Sequence, residues 1–291
     1  MDTPQSAERR LIINADDFGL TEGVNHAILE LNDADVLPSA TLMATGHAFR
    51  DAVHAAFQQT SLGVGCHVVL VDGQSELRPE ELPTLAPNGR LRSSLTTFIV
   101  DLFGGRIASQ EIEREAIAQI RQVQSAGITV THVDTHKHTH MFPRVLGPLI
   151  RAASACNVPA IRNPFEPDWS LRLTEKAPRT RRLQVRTLRL FREQFLRAVH
   201  AAGLRTTDGA LGVLTTGTFD AAYVLRLLHN MPPGTWEIVC HPGYVDEALH
   251  RAGTRLIATR ETERLALLHA LEDPPHDLPR IDLIHYGEFT G

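Results

Sequence analysis

The sequence predicts an α/β fold, a single (β/α) barrel of the TIM type spanning residues 1–291. Short apolar runs alternate with segments of helical periodicity along the chain, as in parallel α/β folds. About seven or eight such units can be counted, which suits a barrel better than an open sheet. A chain of 291 residues, 43% hydrophobic and 22% charged, is long enough for one large domain.

Each predicted strand is a short apolar run bounded by polar or turn-forming residues. The first, 10–15, ends at Asp16 and Asp17. The others are placed at 40–45, 62–70, 130–136, 159–162, 210–214, 236–241 and 281–285.

The helices are indicated by apolar residues that recur on one helical face. Val24, Ile28 and Leu31 mark the first helix. Further helices are predicted at 47–58, 109–125, after Pro143, at 181–202, at 220–230 and at 258–272. Two irregular excursions, at about 72–107 and 163–180, are interpreted as loops of the same domain.

Composition excludes several classes of protein. A formal charge of −5 argues against a general nucleic-acid binder. The cysteines Cys66, Cys156 and Cys240 are widely spaced and predict neither a disulfide framework nor a paired-cysteine zinc site. The polar N-terminus lacks the apolar core of a signal peptide, and no apolar run approaches the roughly 20 residues that span a bilayer. We therefore expect a soluble, cytoplasmic protein.

The most informative segment is 134–140, which places Asp134, His136, His138 and His140 at every second position. On an extended strand alternate side chains point to one face, so these four would project toward one spot if the strand persists that far. Imidazole is the commonest protein metal ligand and the usual acid or base near neutral pH. The segment therefore indicates an enzyme.

The end regions of other predicted strands also carry ionisable residues: Asp16 and Asp17, His67, and His241. In a barrel, functional residues lie where strands end and loops begin. Each residue alone would more often be structural, but their recurrence at equivalent positions favours a site. An aspartate with two histidines suits a divalent metal, and a further carboxylate and imidazole suit hydrolysis of an amide or ester.

At these residues the chain resembles the YdjC-like carbohydrate deacetylases, which include chitooligosaccharide and hopanoid-associated deacetylases. The resemblance rests on residues 14–19, 65–67, 134–142 and 240–242, in the family's order. It implies a (β/α) barrel, one divalent metal ion (magnesium or zinc before others), and hydrolytic removal of acetyl from an N-acetylated sugar.

Carried over position by position, the resemblance assigns Asp17, His67 and His136 as metal ligands. It assigns Asp16 as the general base that deprotonates water. It assigns His241 as the general acid that protonates the departing amine.

Other residues have alternatives that remain open. His138 and His140 could orient a ligand or bind substrate. Asp134 could hydrogen-bond a ligand imidazole or be a satisfied buried carboxylate. Arg162, with Asn163 at a strand end, could hold sugar hydroxyls or cap the second excursion. Trp169 could stack on a sugar ring, whereas Trp236 begins an apolar run and is expected in the core.

A resemblance within the family bears on the class of substrate. Residues 68–73, 82–83 and 202–208 resemble the hopanoid-associated branch of the family, which implies a glycolipid substrate rather than a free oligosaccharide. Between Arg172 and Arg197 there are nine basic and two acidic residues, with Leu188, Phe191 and Phe195 at helical spacing. Such a helix could rest on an anionic membrane surface. We favour the alternative, a barrel helix with its apolar stripe inward and a solvated arginine face.

The sequence leaves two alternative functions open. Two histidines and one carboxylate also describe non-haem iron oxygenases, which generally use antiparallel jelly rolls. A non-catalytic sugar- or lipid-binding relative would keep the barrel without the chemistry. The presence of Asp16, Asp17 and His241 argues against it.

Overall fold

The structure, a computed structural model, describes residues 8–174, 179–217 and 220–289. In this part of the chain seven strands form one sheet, in the order β4-β3-β2-β1-β6-β5, with β7 paired to the start of β1. All the ladders are parallel. The strands are β1 (Arg9–Phe18), β2 (Ser39–Leu42), β3 (Gly63–Val68), β4 (Val133–Thr135), β5 (Gly209–Leu211), β6 (Gly234–Cys240) and β7 (Asp282–Leu283).

Helices connect most of the successive strands. Four of them, the first, third, ninth and tenth, begin at a Thr, Ser or Asp side chain that accepts a hydrogen bond from a backbone N–H. The helices are α1 (Glu22–Asp33), α2 (Phe49–Gln58), α3 (Leu95–Phe103), α4 (Ser109–Ser125), α5 (Pro143–Ala155), α6 (Asp168–Leu173), α7 (Arg179–Leu188), α8 (Arg192–Ala201), α9 (Ala221–Asn230), α10 (Glu247–Arg251) and α11 (Ala258–Leu271).

The parallel α/β prediction is confirmed, but a closed TIM barrel is not. The continuous ladder ends at β4 and β5. Beside β4, isolated bridges pair Val133 with Ile161 and Ala160 with Arg205, and among the described residues no strand ladder closes the sheet onto β5. The predicted strand at 159–162 is thus reduced to single bridges. Prolines on either side of it, at 159 and 164, lack the N–H that would extend a ladder.

The strand predicted at 130–136 does not persist to His140, so the condition for a shared face of the four side chains is not met. β4 ends at Thr135, and a short 3-10 helix, His136–Met141, follows it. Lys137 and His138 there adopt left-handed backbone angles, with φ of 57° and 52°. The Thr135 hydroxyl accepts a hydrogen bond from the His140 backbone N–H at 3.0 Å, and this local bond replaces the ladder. The four alternating side chains therefore do not share one strand face.

The predicted basic helix at 181–202 forms as α7, a 3-10 turn at Arg189–Phe191 and α8. Phe195 is 1% exposed, and Leu188 and Phe191 pack against the core, as the inward-facing interpretation expects. Leu183 and Leu190 remain largely exposed. Among the described helices none is both long and apolar enough to cross a membrane.

The first excursion, 72–107, contains a 3-10 turn at Pro79–Glu81 and the helix α3, neither of which was expected. Buried side chains of α4 hold it through its backbone. Glu111 accepts hydrogen bonds from the N–H groups of Thr84 and Leu85, both at 2.8 Å, and Glu115 accepts from two further N–H groups at 2.7 and 3.1 Å. One face of α4 thus fixes the excursion.

Replacing Glu111 with alanine should lower the free energy of unfolding by about 1–3 kcal/mol, because two buried backbone N–H groups lose their acceptor. Urea denaturation of wild type and variant measures this loss. The control is Glu113→Ala on the same helix, where an exposed ion pair with Arg151 should contribute less than about 1 kcal/mol. Equal losses in the two variants would contradict the role given to Glu111.

Candidate active site

Asp16 and Asp17 lie at the end of β1, where the strand is irregular. The pairing of β1 with β2 shifts register between Ala15 and Phe18, and Asp17 has a left-handed φ of 66°. Neighbouring residues of a regular strand point to opposite faces, but a bulge re-aims a side chain. Aspartate tolerates left-handed angles better than most residues. Two adjacent carboxylates can therefore enter the same site.

The three predicted metal ligands converge from separate elements. Asp17 Oδ1 is 3.5 Å from His67 Nε2 and 3.4 Å from His136 Nδ1, and the two ring nitrogens are 3.3 Å apart. Asp17 Oδ1 is buried without a hydrogen-bond partner, whereas Oδ2 accepts from Arg260 at 2.5 Å. An unpartnered carboxylate oxygen facing two imidazole nitrogens is a donor set that fits a divalent cation.

Asp134 orients one of these imidazoles. Its Oδ1 lies 2.8 Å from His67 Nδ1, so the other ring nitrogen, Nε2, is directed toward Asp17. A carboxylate behind a histidine is the usual support for a metal ligand. Burial lowers the pKa of His67, but the charges of Asp134 and Asp16 outweigh it and raise the pKa to about 9.

Arg162 is fully buried and lies among the carboxylates around the site. Its Nη1 and Nη2 donate to the two oxygens of Asp16 at 2.9 and 2.7 Å, and its Nε donates to Glu237 at 2.8 Å. Nη1 also contacts Asp134. Burial raises the pKa of Asp16, but the charges of Arg162, His67 and His241 and the hydrogen bond from Arg162 together outweigh it, and the pKa lies well below the usual value. The expectation that Arg162 holds sugar hydroxyls is therefore corrected: it holds protein carboxylates.

His241 follows β6 and faces the other side of Asp16. Its Nε2 is 3.8 Å from Asp16 Oδ2, and its Nδ1 is 3.7 Å from Glu263 Oε2. Glu263 also accepts from the His241 backbone N–H at 2.7 Å. Burial lowers the pKa of His241, but Glu263 and Asp16 outweigh it, so the pKa is raised.

Sequence reasoning missed Arg260 and Glu263. They lie three residues apart on α11 and face one side of it, Arg260 toward Asp17 and Glu263 toward His241. Both are almost fully buried. The sequence feature that could have indicated these two residues is their spacing on one helix. Opposite charges three residues apart are, however, common on exposed helix faces and do not by themselves mark a site.

The remaining predicted residues have different contacts. His138 reaches the site, where its Nδ1 is buried without a hydrogen-bond partner, and burial with the Arg162 charge lowers its pKa to about 3. His140 is fully buried and bonds to Thr135 and to the Arg162 carbonyl, so it braces the turn.

Trp169 does not join the cluster. Its ring packs edge to face on Trp236, with centroids 5.4 Å apart. Trp236 lies five residues before His241 on β6, which is about 16 Å along a strand. It is 8% exposed, as expected for the core. That Trp169 stacks on a sugar stays a prediction; the ring contact that the structure shows is with another tryptophan.

Access to the cluster is from the side of the two histidines His136 and His241, whose side chains are 20% and 13% exposed, whereas those of Asp16, Asp17 and His67 are at most 4% exposed. A second set, Asp16 with His67 and Asp134, also lies within ligand spacing, but Arg162 already neutralises its carboxylates. Fold and site together define a parallel α/β protein with a candidate metal centre beside a carboxylate–imidazole pair.

Comparison with known proteins gives the family. The model of the YdjC-like proteins matches residues 10–275, and the chain belongs to that family. A carbohydrate deacetylase of Brevibacillus brevis is 32% identical over 282 residues, 96% of this chain and 99% of the relative. A chitooligosaccharide deacetylase of Salmonella typhimurium is 28% identical over 250 residues, 84% of this chain and 86% of the relative.

Two solved structures share the fold. A protein of Enterococcus faecalis, named for cellobiose-phosphate cleavage, superposes with a TM-score of 0.73 at 22% identity, covering 98% of this chain and 100% of that one. An uncharacterized protein of Agrobacterium tumefaciens has a TM-score of 0.52 at 12% identity, covering 99% and 92%. At these identities the likeness concerns the fold alone.

Replacing His67 or His136 with alanine should weaken zinc binding by about 100-fold or more, because a ligand is lost. Asp16→Asn should change the affinity by only a few-fold, because Asp16 is not one of the three proposed ligands and both of its oxygens are bound by Arg162. Isothermal titration of metal-stripped protein measures the affinities, with His138→Ala as the control from the same turn. Unchanged affinity in both ligand variants would contradict the ligand set.

Proposed function

We propose that this protein is a metal-dependent carbohydrate deacetylase that hydrolyses the N-acetyl group of an acetylated amino sugar. The observation that carries the proposal is the convergence of Asp17, His67 and His136 beside the Asp16–His241 pair. A metal-ligand set next to a base and an acid is what amide hydrolysis needs. The names of the curated relatives support the sugar substrate and the acetyl group.

Asp17, His67 and His136 would hold the cation. A divalent cation there, zinc or magnesium before others, would supply Lewis acidity to the acetyl carbonyl oxygen and make a water molecule more acidic. Asp134 keeps the His67 ring in the orientation that this requires.

Asp16 is placed to accept the proton of the attacking water. Because positive charges around Asp16, Arg162 first, hold its pKa low, its carboxylate is ionised at neutral pH, which is the form that can accept a proton. Both of its oxygens are held by the guanidinium, which fixes the carboxylate in position. Once His241 has given its own proton to the amine, its neutral Nε2, which lies 3.8 Å from Asp16 Oδ2, can take the proton from Asp16.

His241 is placed to protonate the departing amine nitrogen. An amine leaves an amide only with a proton, so a protonated imidazole beside the base is required. Glu263 and Asp16 raise the pKa of His241 against the opposing effect of burial, which favours the charged imidazole. His138, with its free buried Nδ1, is proposed to contact the sugar.

Within acetylated sugars, we propose a glycolipid of the hopanoid type as the substrate. The support is the sequence resemblance at 68–73 and 202–208. The exposed Leu183 and Leu190, among the arginines of the α7–α8 segment, support contact with an anionic membrane surface. The iron-oxygenase alternative receives no support, because the described ladders are parallel rather than those of a jelly roll.

Acetate release tests the proposal. Chelated protein should release no acetate from N-acetylated oligosaccharides or glycolipids, and added zinc or magnesium should restore release. Asp16→Asn should lower kcat by about 10²–10⁴-fold with metal still bound, because the base is removed and the ligands are not. Wild-type protein that releases no acetate from any of these substrates with any added metal would overturn the proposal.

The pH profile tests the acid. His241 must be protonated, so kcat/KM should fall as pH rises through the raised pKa of His241. Glu263→Gln removes a negative charge that raises this pKa, so the basic limb should move to lower pH by about one unit. Glu261→Gln, an exposed position on the same helix, is the control. A basic limb that stays in place in Glu263→Gln would contradict the assignment.

A further inference from the structure

The C-terminal segment reaches into the protein from the end opposite to the site. β7 pairs with Arg10 and Leu11 at the start of β1, whereas Asp16 lies near the end of that strand. Tyr286 follows β7 and is fully buried, with its ring stacked on His132 at 3.8 Å between centroids and 14° between planes. It lies beyond residues 10–275, so the family match does not include it.

From Tyr286 a continuous chain of buried hydrogen bonds leads to Asp16. The Tyr286 hydroxyl donates to Glu237 Oε2 at 2.6 Å. Arg162 Nε donates to Glu237 Oε1 at 2.8 Å, and Arg162 Nη2 donates to Asp16 Oδ1 at 2.7 Å. All four side chains are at most 2% exposed, so water does not substitute for a lost bond at low cost.

We propose that Tyr286 is a positioning residue for Asp16, acting through Glu237 and Arg162. This inference rests on the proposed function of Asp16 as the base. The guanidinium is planar, so the bond from Nε to Glu237 fixes the plane in which Nη1 and Nη2 meet the two oxygens of Asp16. Glu237 can fix that plane only if it is itself held, and Tyr286 holds its other oxygen.

The charge of Glu237 gives a second reason. Burial raises the pKa of Glu237 to about 7 even though Arg162 and Tyr286 both lower it. Without the hydroxyl of Tyr286 the carboxyl group would lose one of the bonds that favour its ionised form. A neutral Glu237 would hold the guanidinium less firmly, and Arg162 would be free to rotate about Asp16 and Asp134.

The test is Tyr286→Phe, which keeps the ring on His132 and removes only the hydroxyl. Its crystal structure should show the Arg162 guanidinium turned away from its paired contact with Asp16. With saturating metal, kcat should fall about tenfold while KM stays within twofold, because Tyr286 makes no contact with the substrate. Tyr223→Phe is the matched control, since it removes another buried hydroxyl whose described hydrogen-bond partners, Thr174, Thr215 and Ser170, do not include Asp16.

A double variant separates positioning from general destabilisation. On an Asp16→Asn background, Tyr286→Phe should change the residual turnover by less than about twofold, because it acts through Asp16. A further tenfold loss there, or a guanidinium that keeps its place in the Tyr286→Phe crystal, would overturn the inference. If Tyr286→Phe does not fold, Glu237→Gln tests the middle of the same chain with the same crystal and kinetic criteria.

The two proposals fail separately. A displaced guanidinium in a protein that never releases acetate would overturn the deacetylase proposal and leave the hydrogen-bond chain in place. Acetate release by wild type, with an undisplaced guanidinium in Tyr286→Phe, would overturn the inference about Tyr286 and leave the deacetylase proposal in place.

Discussion

The interaction on which the rest of the site depends is the burial of one guanidinium among three carboxylates. Asp16, Asp134 and Glu237 come from three strands and lie in an interior where uncompensated charges cost several kcal/mol each, by rough estimates. Arg162 donates to all three. Through Asp134 it supports the orientation of His67, and through Asp16 it fixes the carboxylate beside His241. Removing the guanidinium would leave buried negative charges facing one another, so both halves of the site would be lost together.

The two neighbouring aspartates obtain different chemistry from different cations. Asp16 has both oxygens bound by Arg162, whereas Asp17 has one oxygen bound by Arg260 and the other directed at two imidazoles. Environment rather than residue type thus separates the proposed base from the proposed ligand, as in enzymes that use paired carboxylates. The backbone irregularity at the end of β1 makes this possible, because a regular strand would send one of the two side chains to the opposite face.

Many residues of the candidate site could be predicted from the sequence. Where the predictions failed, the reasons are physical. Asp17, His67 and His241 each follow an apolar run, and parallel strands bring such ends to one edge. The turn after Thr135 was missed because a hydroxyl competes locally with the ladder for backbone N–H groups. The role of Arg162 was missed because arginines are seldom fully buried. Glu263 contacts His241, which lies 22 positions earlier in the chain and follows a different element, β6. Helical periodicity does not predict a contact between separate elements.

The separation of the ligands has a consequence for the life of the protein in a cell. Asp17, His67 and His136 lie on β1, on β3 and just after β4, so a bound cation would join segments distant in the chain. Anything that binds the folded chain and not the unfolded one stabilises it, by about 2.7 kcal/mol when the free ligand is 100 times its Kd. If the proposed metal binds here, metal starvation would increase unfolding and proteolysis of the protein and would also remove its proposed activity. The abundance of the protein would follow the metal supply.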